Sequence, residues 1–319
     1  MDNVSHSLAG WALARAAGPV RPRGTTLALV LASNLPDIDI VLQARSGADY
    51  LLFHRGLTHS LVGLVALPLT LATGLWWGYR RRTRFGWLAL VCACGVGLHL
   101  VYDVVTPWGT MLLYPVSSAR FALDWLFIVD FVTWGLPIGA LLASRRWPQR
   151  ARRATAVWLV ALVVYAGSAA LVHRHATARL IAAERAAGRS VAEAFVFPRL
   201  GAPWRWSGVA AAPAASPEPR VAVYRVTGVP PVATQVGRIH RGFDDPWVAA
   251  ALATRSGQAY LWWARVPIAE TRRADGEVIV TLRDLRYSRT LLPTAETWTP
   301  FTIRFRFDER STDPIEVTW

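Results

Sequence analysis

Long apolar blocks, separated by short arginine-rich breaks, fill the first 175 positions; after them the pattern changes to short alternating runs. The first two blocks, residues 4–18 and 25–35, flank a turn containing Arg15, Pro19, Arg21, Pro22 and Arg23. They predict a short helical hairpin, capped at its start by Asp2 or Asn3 and too short to span a bilayer comfortably. Leu61–Tyr79, Gly86–Val105, Trp125–Ser144 and Thr155–Val172 follow. Each approaches the roughly 20 residues that a membrane-spanning helix needs, so four spans are expected. Residues 176–195 read as a polar helix, and 207–219, rich in Ala, Pro, Ser and Gly, as a linker. From 220 onward, β-prone runs recur at Val221–Val226, Ala259–Val266, Val278–Leu282, Phe301–Phe307 and Ile315–Trp319, with Asp275-Gly276 as a hairpin signal. The expected fold is a mainly α-helical integral membrane domain, the hairpin plus four transmembrane helices, over residues 1–175. A helix and linker occupy 176–219, and a β-rich extramembrane domain occupies 220–319. No internal repeat is seen.

Composition sharpens this picture. The chain is 53% hydrophobic, and its 35 basic residues, all arginine, outnumber 21 acidic ones for a net charge of +14. Such a charge can mark a nucleic-acid binder, but the arginines sit in the breaks between apolar blocks (80–84 and 145–153), as the positive-inside bias predicts. No nucleic-acid partner is expected. The same bias puts those two breaks on the cytoplasmic side and residues 106–124, the start of the first span and the C-terminal domain outside. Cys92 and Cys94 lie two apart within a helical run and face different ways, so neither a disulfide nor a metal site follows. Met1–Ser7 carries no basic segment, so no cleavable signal is expected.

The orientation set by arginine alone brings His6, Asp37, Asp39, His54, His59, His99 and Asp103 to one membrane level. His99 and Asp103, four apart, share a helix face inside a span, where ionisable groups are costly and usually functional. Asp37 and Asp39 follow Pro36, and either can supply a ligand. His54 and His59 flank Gly56, which permits a tight bend. Arg55 suits either an anionic substrate group or a lipid headgroup. Asp124 and Asp130, at the start of the third block, are candidates for a supporting or second-metal role. His173 and His175 read as interfacial anchors, and His240 is isolated. A mixture of His and Asp without a nearby thiolate favours Zn²⁺ and tolerates Mn²⁺ or Fe²⁺. Neither a phosphate-binding glycine loop nor a Gly-x-Ser-x-Gly elbow is found.

His6 in a small-residue helix, Pro36-Asp37-Ile38-Asp39, His54-Arg55-Gly56-Leu57-Thr58-His59-Ser60 and His99-x-x-x-Asp103 together resemble the YdjM-like, LexA-regulated family of inner-membrane predicted metal-dependent hydrolases, over roughly residues 1–175. A more distant similarity is to zinc-dependent phospholipase C, where the order His, Asp, His, His-x-x-x-Asp maps to His6, Asp37 or Asp39, His59, His99 and Asp103. The later histidine set of those enzymes has no counterpart here. The resemblance implies a multi-pass protein of the bacterial inner membrane with a metal-dependent hydrolase activity. The reading is therefore a centre in which His6, Asp37, His59, His99 and Asp103 bind the metal while Asp39, His54 and Arg55 assist catalysis. The expected partners are membrane lipid and a small-molecule or lipid substrate bearing a phosphoester. The alternative is a non-enzymatic membrane protein whose cluster is a structural metal site or an ion or proton path.

Overall fold

A computed structural model describes residues 1–18, 20–212, 220–288 and 300–319. The chain divides into two compact units. The first comprises Met1–Val41, Phe53–Leu171 and Pro198–Pro203; the second comprises Leu42–Leu52, Val172–Phe197 and Trp204–Trp319.

In the first unit the hairpin forms as α1 (Asn3–Ala14) and α2 (Thr25–Ala32). Asp2 caps α1 by accepting the Val4 and Ser5 amides. A 3-10 segment, Leu35–Val41, follows α2; α3 (Leu42–Arg45) and α4 (Gly47–Phe53), all but its last residue, belong to the second unit. The long apolar helices are α5 (Leu61–Gly78), capped by Ser60, α6 (Phe85–Val104) and α8 (Ala151–Ala186), with α7 (Phe131–Arg146) between the last two. Three of these helices are long and apolar enough to cross a membrane, or four if the bent pair α2 and Leu35–Arg45 counts as one broken span.

Two expectations about the spans are corrected. The block at Trp125–Ser144 is not one helix. Asp130 accepts the Val132 and Thr133 amides and starts α7 only at Phe131, leaving 16 residues where a full span needs about 20. Conversely, the fourth block does not stop at Val172. No proline interrupts it before Gly188, and its one internal glycine, Gly167, is tolerated, so α8 runs on for 36 residues and absorbs most of the stretch read as a separate polar helix. It ends where Gly188 takes φ +72° and the Arg189 amide returns to the Glu184 carbonyl, a Schellman-type stop.

Close helix contacts depend on two glycines. A Cβ at Gly10 would come within 2.6 Å of Ser33 Oγ, and one at Gly95 within 2.7 Å of the Ala32 Cβ. Their absence lets α2 seat against both α1 and α6. Leu29, Ala32, Leu88, Cys92 and Val96 fill the core there.

The second unit contains two four-stranded antiparallel sheets. One is β1 (Glu193–Arg199), β2 (Ala202–Ala211), β3 (Arg220–Thr227) and β4 (Val232–His240), in that order. The helices α9 (Pro246–Ala253) and α10 (Arg255–Trp263) precede the other, β5 (Pro267–Ala274), β6 (Glu277–Asp284), β7 (Ile303–Asp308) and β8 (Pro314–Thr318). β3 is covered on both faces: Ala222, Tyr224 and Val226 pack with Ala176 and Leu180 of α8, while Val221 and Val223 pack with Val266, Ile268 and Leu285. The linker expected over 207–219 is corrected at its start, because residues through Ala211 belong to β2; positions 213–219 lie outside the described residues. The strand expected at Ala259–Val266 is instead mostly helix α10. Thr254 caps it through the Gly257 amide, and Tyr260 and Trp263, three apart, bury on one face. Asp275-Gly276 is the expected two-residue turn, both residues at positive φ, joining β5 to β6 with Ala274 opposite Glu277.

Candidate metal centre

The 3-10 segment after α2, the loop before α5 and the C-terminal turns of α6 meet in the first unit. Between them, Asp37, His59, His99 and Asp103 each bring one donor atom within 4.8 Å of the other three. His59 Nε2 is 3.0 Å from His99 Nε2, 3.3 Å from Asp37 Oδ1 and 3.3 Å from Asp103 Oδ2. His99 Nε2 is 3.2 Å from Asp103 Oδ2 and 3.7 Å from Asp37 Oδ1. A tetrahedral ion with arms of about 2.0–2.1 Å holds its ligand atoms about 3.3–3.4 Å apart, so these separations are those of a coordination shell.

Proton positions follow from the partners. His99 Nδ1 lies 2.8 Å from the Ser33 carbonyl, which only accepts, so Nδ1 carries a proton. The single Thr58 hydroxyl proton goes to Asp39 Oδ2 at 3.0 Å, so Thr58 Oγ1, 3.0 Å from His59 Nδ1, accepts from that ring. Both imidazoles, when neutral, therefore turn Nε2 lone pairs toward each other and toward two carboxylates. Asp103 Oδ2 is buried and has no hydrogen-bond partner among the described residues. Lone pairs and carboxylate oxygens converging at 3.0–3.3 Å repel unless a proton or a metal cation sits among them. The donor set, two neutral imidazoles and two carboxylates, suits Zn²⁺ and also Mn²⁺ or Fe²⁺.

The remaining sequence candidates surround this shell. Asp39 Oδ1 accepts from His54 Nδ1 at 2.7 Å, and Oδ2 accepts from the Arg55 amide at 3.0 Å as well as from Thr58. Asp39 thus orients His59 and His54, the arrangement by which a carboxylate fixes a ligating imidazole. Burial holds His54 below the ordinary imidazole range even against Asp39. Arg55 is buried, at φ +61°, with Nη2 3.0 Å from Asp103 Oδ1 and Nη1 3.0 Å from Thr106 Oγ1. Its guanidinium is occupied in holding Asp103. His6 stacks on His99, ring centroids 3.8 Å apart, with Nε2 3.5 Å from Asp103 Oδ1. It stands beside the shell and is not one of the four whose donor atoms converge. The Met1 amine also reaches Asp103 Oδ1. Asp37, Asp39 and His54 form a second, adjoining group of donors.

Of the outlying candidates, Asp130 caps α7 and accepts from the Tyr165 hydroxyl at 2.7 Å. Asp124 is buried at φ +59° and is in neither donor group. His173 bonds the Val196 carbonyl, His175 is exposed, and His240 accepts from the Gly242 amide. Sequence reading missed Ser33 and Thr106 and gave Thr58 no role. Thr58 stands inside the central motif, so the motif itself was the signal; the Ser33 carbonyl has no side-chain signature.

The profile of the YdjM inner membrane protein family matches residues 1–176, a range that contains every residue of this centre. The chain belongs to the YdjM inner membrane protein family. Uncharacterized protein YfhP of Bacillus subtilis (strain 168) is 30% identical over 138 residues, 41% of this chain and 42% of that protein. The chain thus spans about two fifths of that relative's length. No solved structure matches the chain. Like its family, this is a membrane protein, and its YdjM portion carries a buried His/Asp cluster able to hold a metal ion.

Proposed function

We propose that this YdjM-family protein is a membrane-bound metal-dependent hydrolase acting on a phosphoester at the level of lipid headgroups, with Zn²⁺ as the favoured ion. The observation that carries the reading is the facing pair of Nε2 atoms, His59 and His99, closed by Asp37 and Asp103. An ion held there supplies Lewis acidity and brings a bound water to a pKa near 7. Arg55 pairs with Asp103 and aims it. His54, oriented by Asp39 through its Nδ1 proton, is the candidate general base. Asp37 is 13% exposed while the His59, His99 and Asp103 side chains are fully buried, so substrate approaches from the Asp37 side. Ile38, Ile40 and Leu57, next to these ligands in the chain, are exposed and apolar, which suits a substrate presented by a membrane. On the positive-inside argument we infer that the centre faces the outer side and that the C-terminal domain is extracytoplasmic.

A proton or ion path would need polar groups continuing along α6. The next buried turns offer Val96, Cys92, Val91 and Leu88. That favours an enzyme over a conduit. The test is phosphate or headgroup release from mixed micelles carrying lipid phosphomonoesters and phosphodiesters, with the metal-loaded protein. Turnover lost in His59→Ala and Asp103→Ala variants that still insert supports the reading. Turnover unchanged in either variant removes it.

A further inference from the structure

A groove of about 390 Å³ lies between α7 and α8, lined by none of the residues of the His/Asp centre. The volume falls within the roughly 300–1,000 Å³ of small-molecule sites. On α7 its lining recurs at Leu136, Ala140 and Ala143, and on α8 at Ala154, Trp158 and Ala161, three to four apart on facing stripes. Beyond these, at the end nearest the α7–α8 turn, the lining changes to Arg150 and Arg153. Both arginines are exposed, and Arg145, Arg146 and Arg152 stand in the same short stretch.

The two ends call for opposite chemistry. From Arg153 to Ala161 the slot extends about 12 Å along α8, long enough for much of an acyl chain but offering it no polar partner. The arginine end offers positive charge, reinforced by the N-terminus of the 36-residue α8. A molecule with an apolar tail and an anionic head, joined end to end, matches both. Basic pockets between transmembrane helices at a membrane face are matched to anionic headgroups in this way. Gly139 also lines the groove, and a Cβ built there meets nothing within 4 Å, so the helix leaves this space open without needing the glycine for its own packing.

We propose that the α7–α8 groove is a binding site for an anionic phospholipid, one acyl chain lying between the helices and the phosphate held by Arg150 and Arg153. This site is separate from the metal centre and does not depend on the hydrolase reading. Its ligand is a resident lipid and not the substrate.

The test is native mass spectrometry of the detergent-purified full chain, titrated in turn with dioleoyl-phosphatidylglycerol, dioleoyl-phosphatidylcholine and inorganic phosphate. Wild-type protein is expected to retain phosphatidylglycerol at least about tenfold more tightly than phosphatidylcholine, two arginines each contributing roughly a fivefold preference. Free phosphate is expected not to be retained. Arg150→Gln with Arg153→Gln should erase the preference. Gly139→Leu, which fills the slot, should abolish retention of the lipid, while Gly139→Ala controls for the glycine itself and should keep it. Equal retention of the two lipids by wild type, or undiminished retention of phosphatidylglycerol by Gly139→Leu, overturns the proposal. The second result would mark the lipid as bound to the arginine surface only.

Discussion

The Ser33 carbonyl accepts the Nδ1 proton of His99 across 2.8 Å, joining the end of α2 to the middle of the metal centre. This bond fixes the tautomer that leaves His99 Nε2 as a ligand. It exists because α2 lies close enough to α6, and that approach is set by Gly95. An added Cβ there would meet the Ala32 Cβ at 2.7 Å and the Leu29 carbonyl at 3.1 Å, neither of which can swing away. Gly95→Ala should therefore leave the protein inserted yet weaken metal binding by about 10–100-fold, the usual effect of losing an outer partner of a ligating histidine. Metal titration of the purified variant checks this; unchanged affinity would mean that the α2–α6 contact does not tune the site.

Asp39 is expected to act through His59 and His54 and not as a ligand. It already accepts bonds from His54, the Arg55 amide and Thr58. Asn at this position keeps the shape but replaces one acceptor oxygen with a donor, facing groups that are themselves donors. Asp39→Asn should reduce metal affinity by about 10–100-fold without abolishing binding. A complete loss of metal, equal to that of His59→Ala, would instead make Asp39 a direct ligand. Isothermal titration with Zn²⁺ distinguishes the two.

Arg55 is the buried counter-charge of Asp103. Removing one partner of a buried ion pair costs about 3–5 kcal/mol, so Arg55→Ala should lower the thermal midpoint of the metal-free protein in detergent markedly. Arg55→Lys should restore little, because a single ammonium cannot reach both Asp103 and Thr106 as the two guanidinium nitrogens do. Added divalent metal should recover part of the loss by supplying charge to the same carboxylate. A midpoint equal to wild type in Arg55→Ala would contradict the assigned role.

Metal should also stabilise the wild-type fold. At a hundredfold excess over its dissociation constant, an ion that binds only the folded form contributes about 2.7 kcal/mol. The sign of the pH dependence follows from the ligands: imidazoles must be neutral and carboxylates ionised to bind, so the gain should be largest at neutral to mildly alkaline pH and vanish as pH falls. Thermal unfolding with and without Zn²⁺ across pH measures it. A metal-induced shift that grows toward acid would be inconsistent with a His/Asp centre.

Much of the centre was legible in the sequence because its chemistry is local. The His54–Ser60 motif, the Asp37/Asp39 pair and the four-residue spacing of His99 and Asp103 are readable without a fold, and all come together. Which of Asp37 and Asp39 faces the four-donor group was not legible, since it turns on the winding of the 3-10 segment Leu35–Val41, which spacing alone does not give. The role of Ser33 was hidden because a backbone carbonyl carries no sequence label. His6 lies on the inward face of α1, stacked on His99 beside the four converging donors. In the second unit the strand expected at Ala259–Val266 is mostly helix for a definite reason. An aromatic and aliphatic run such as Tyr260–Trp263 suits strand or helix equally, and only the Thr254 cap decides. The helix of the third block is shorter than its apolar run because Asp130 caps it and starts it at Phe131.

The central claim is that four residues form one metal shell, and metal content tests it most directly. Mass spectrometric metal analysis of the detergent-purified protein, beside a His59→Ala, His99→Ala double variant, should give about one equivalent of a divalent ion, Zn²⁺ first, in the wild type and none at this position in the variant. Equal metal content in the two proteins, or none in wild type after incubation with Zn²⁺ and Mn²⁺, would contradict the account.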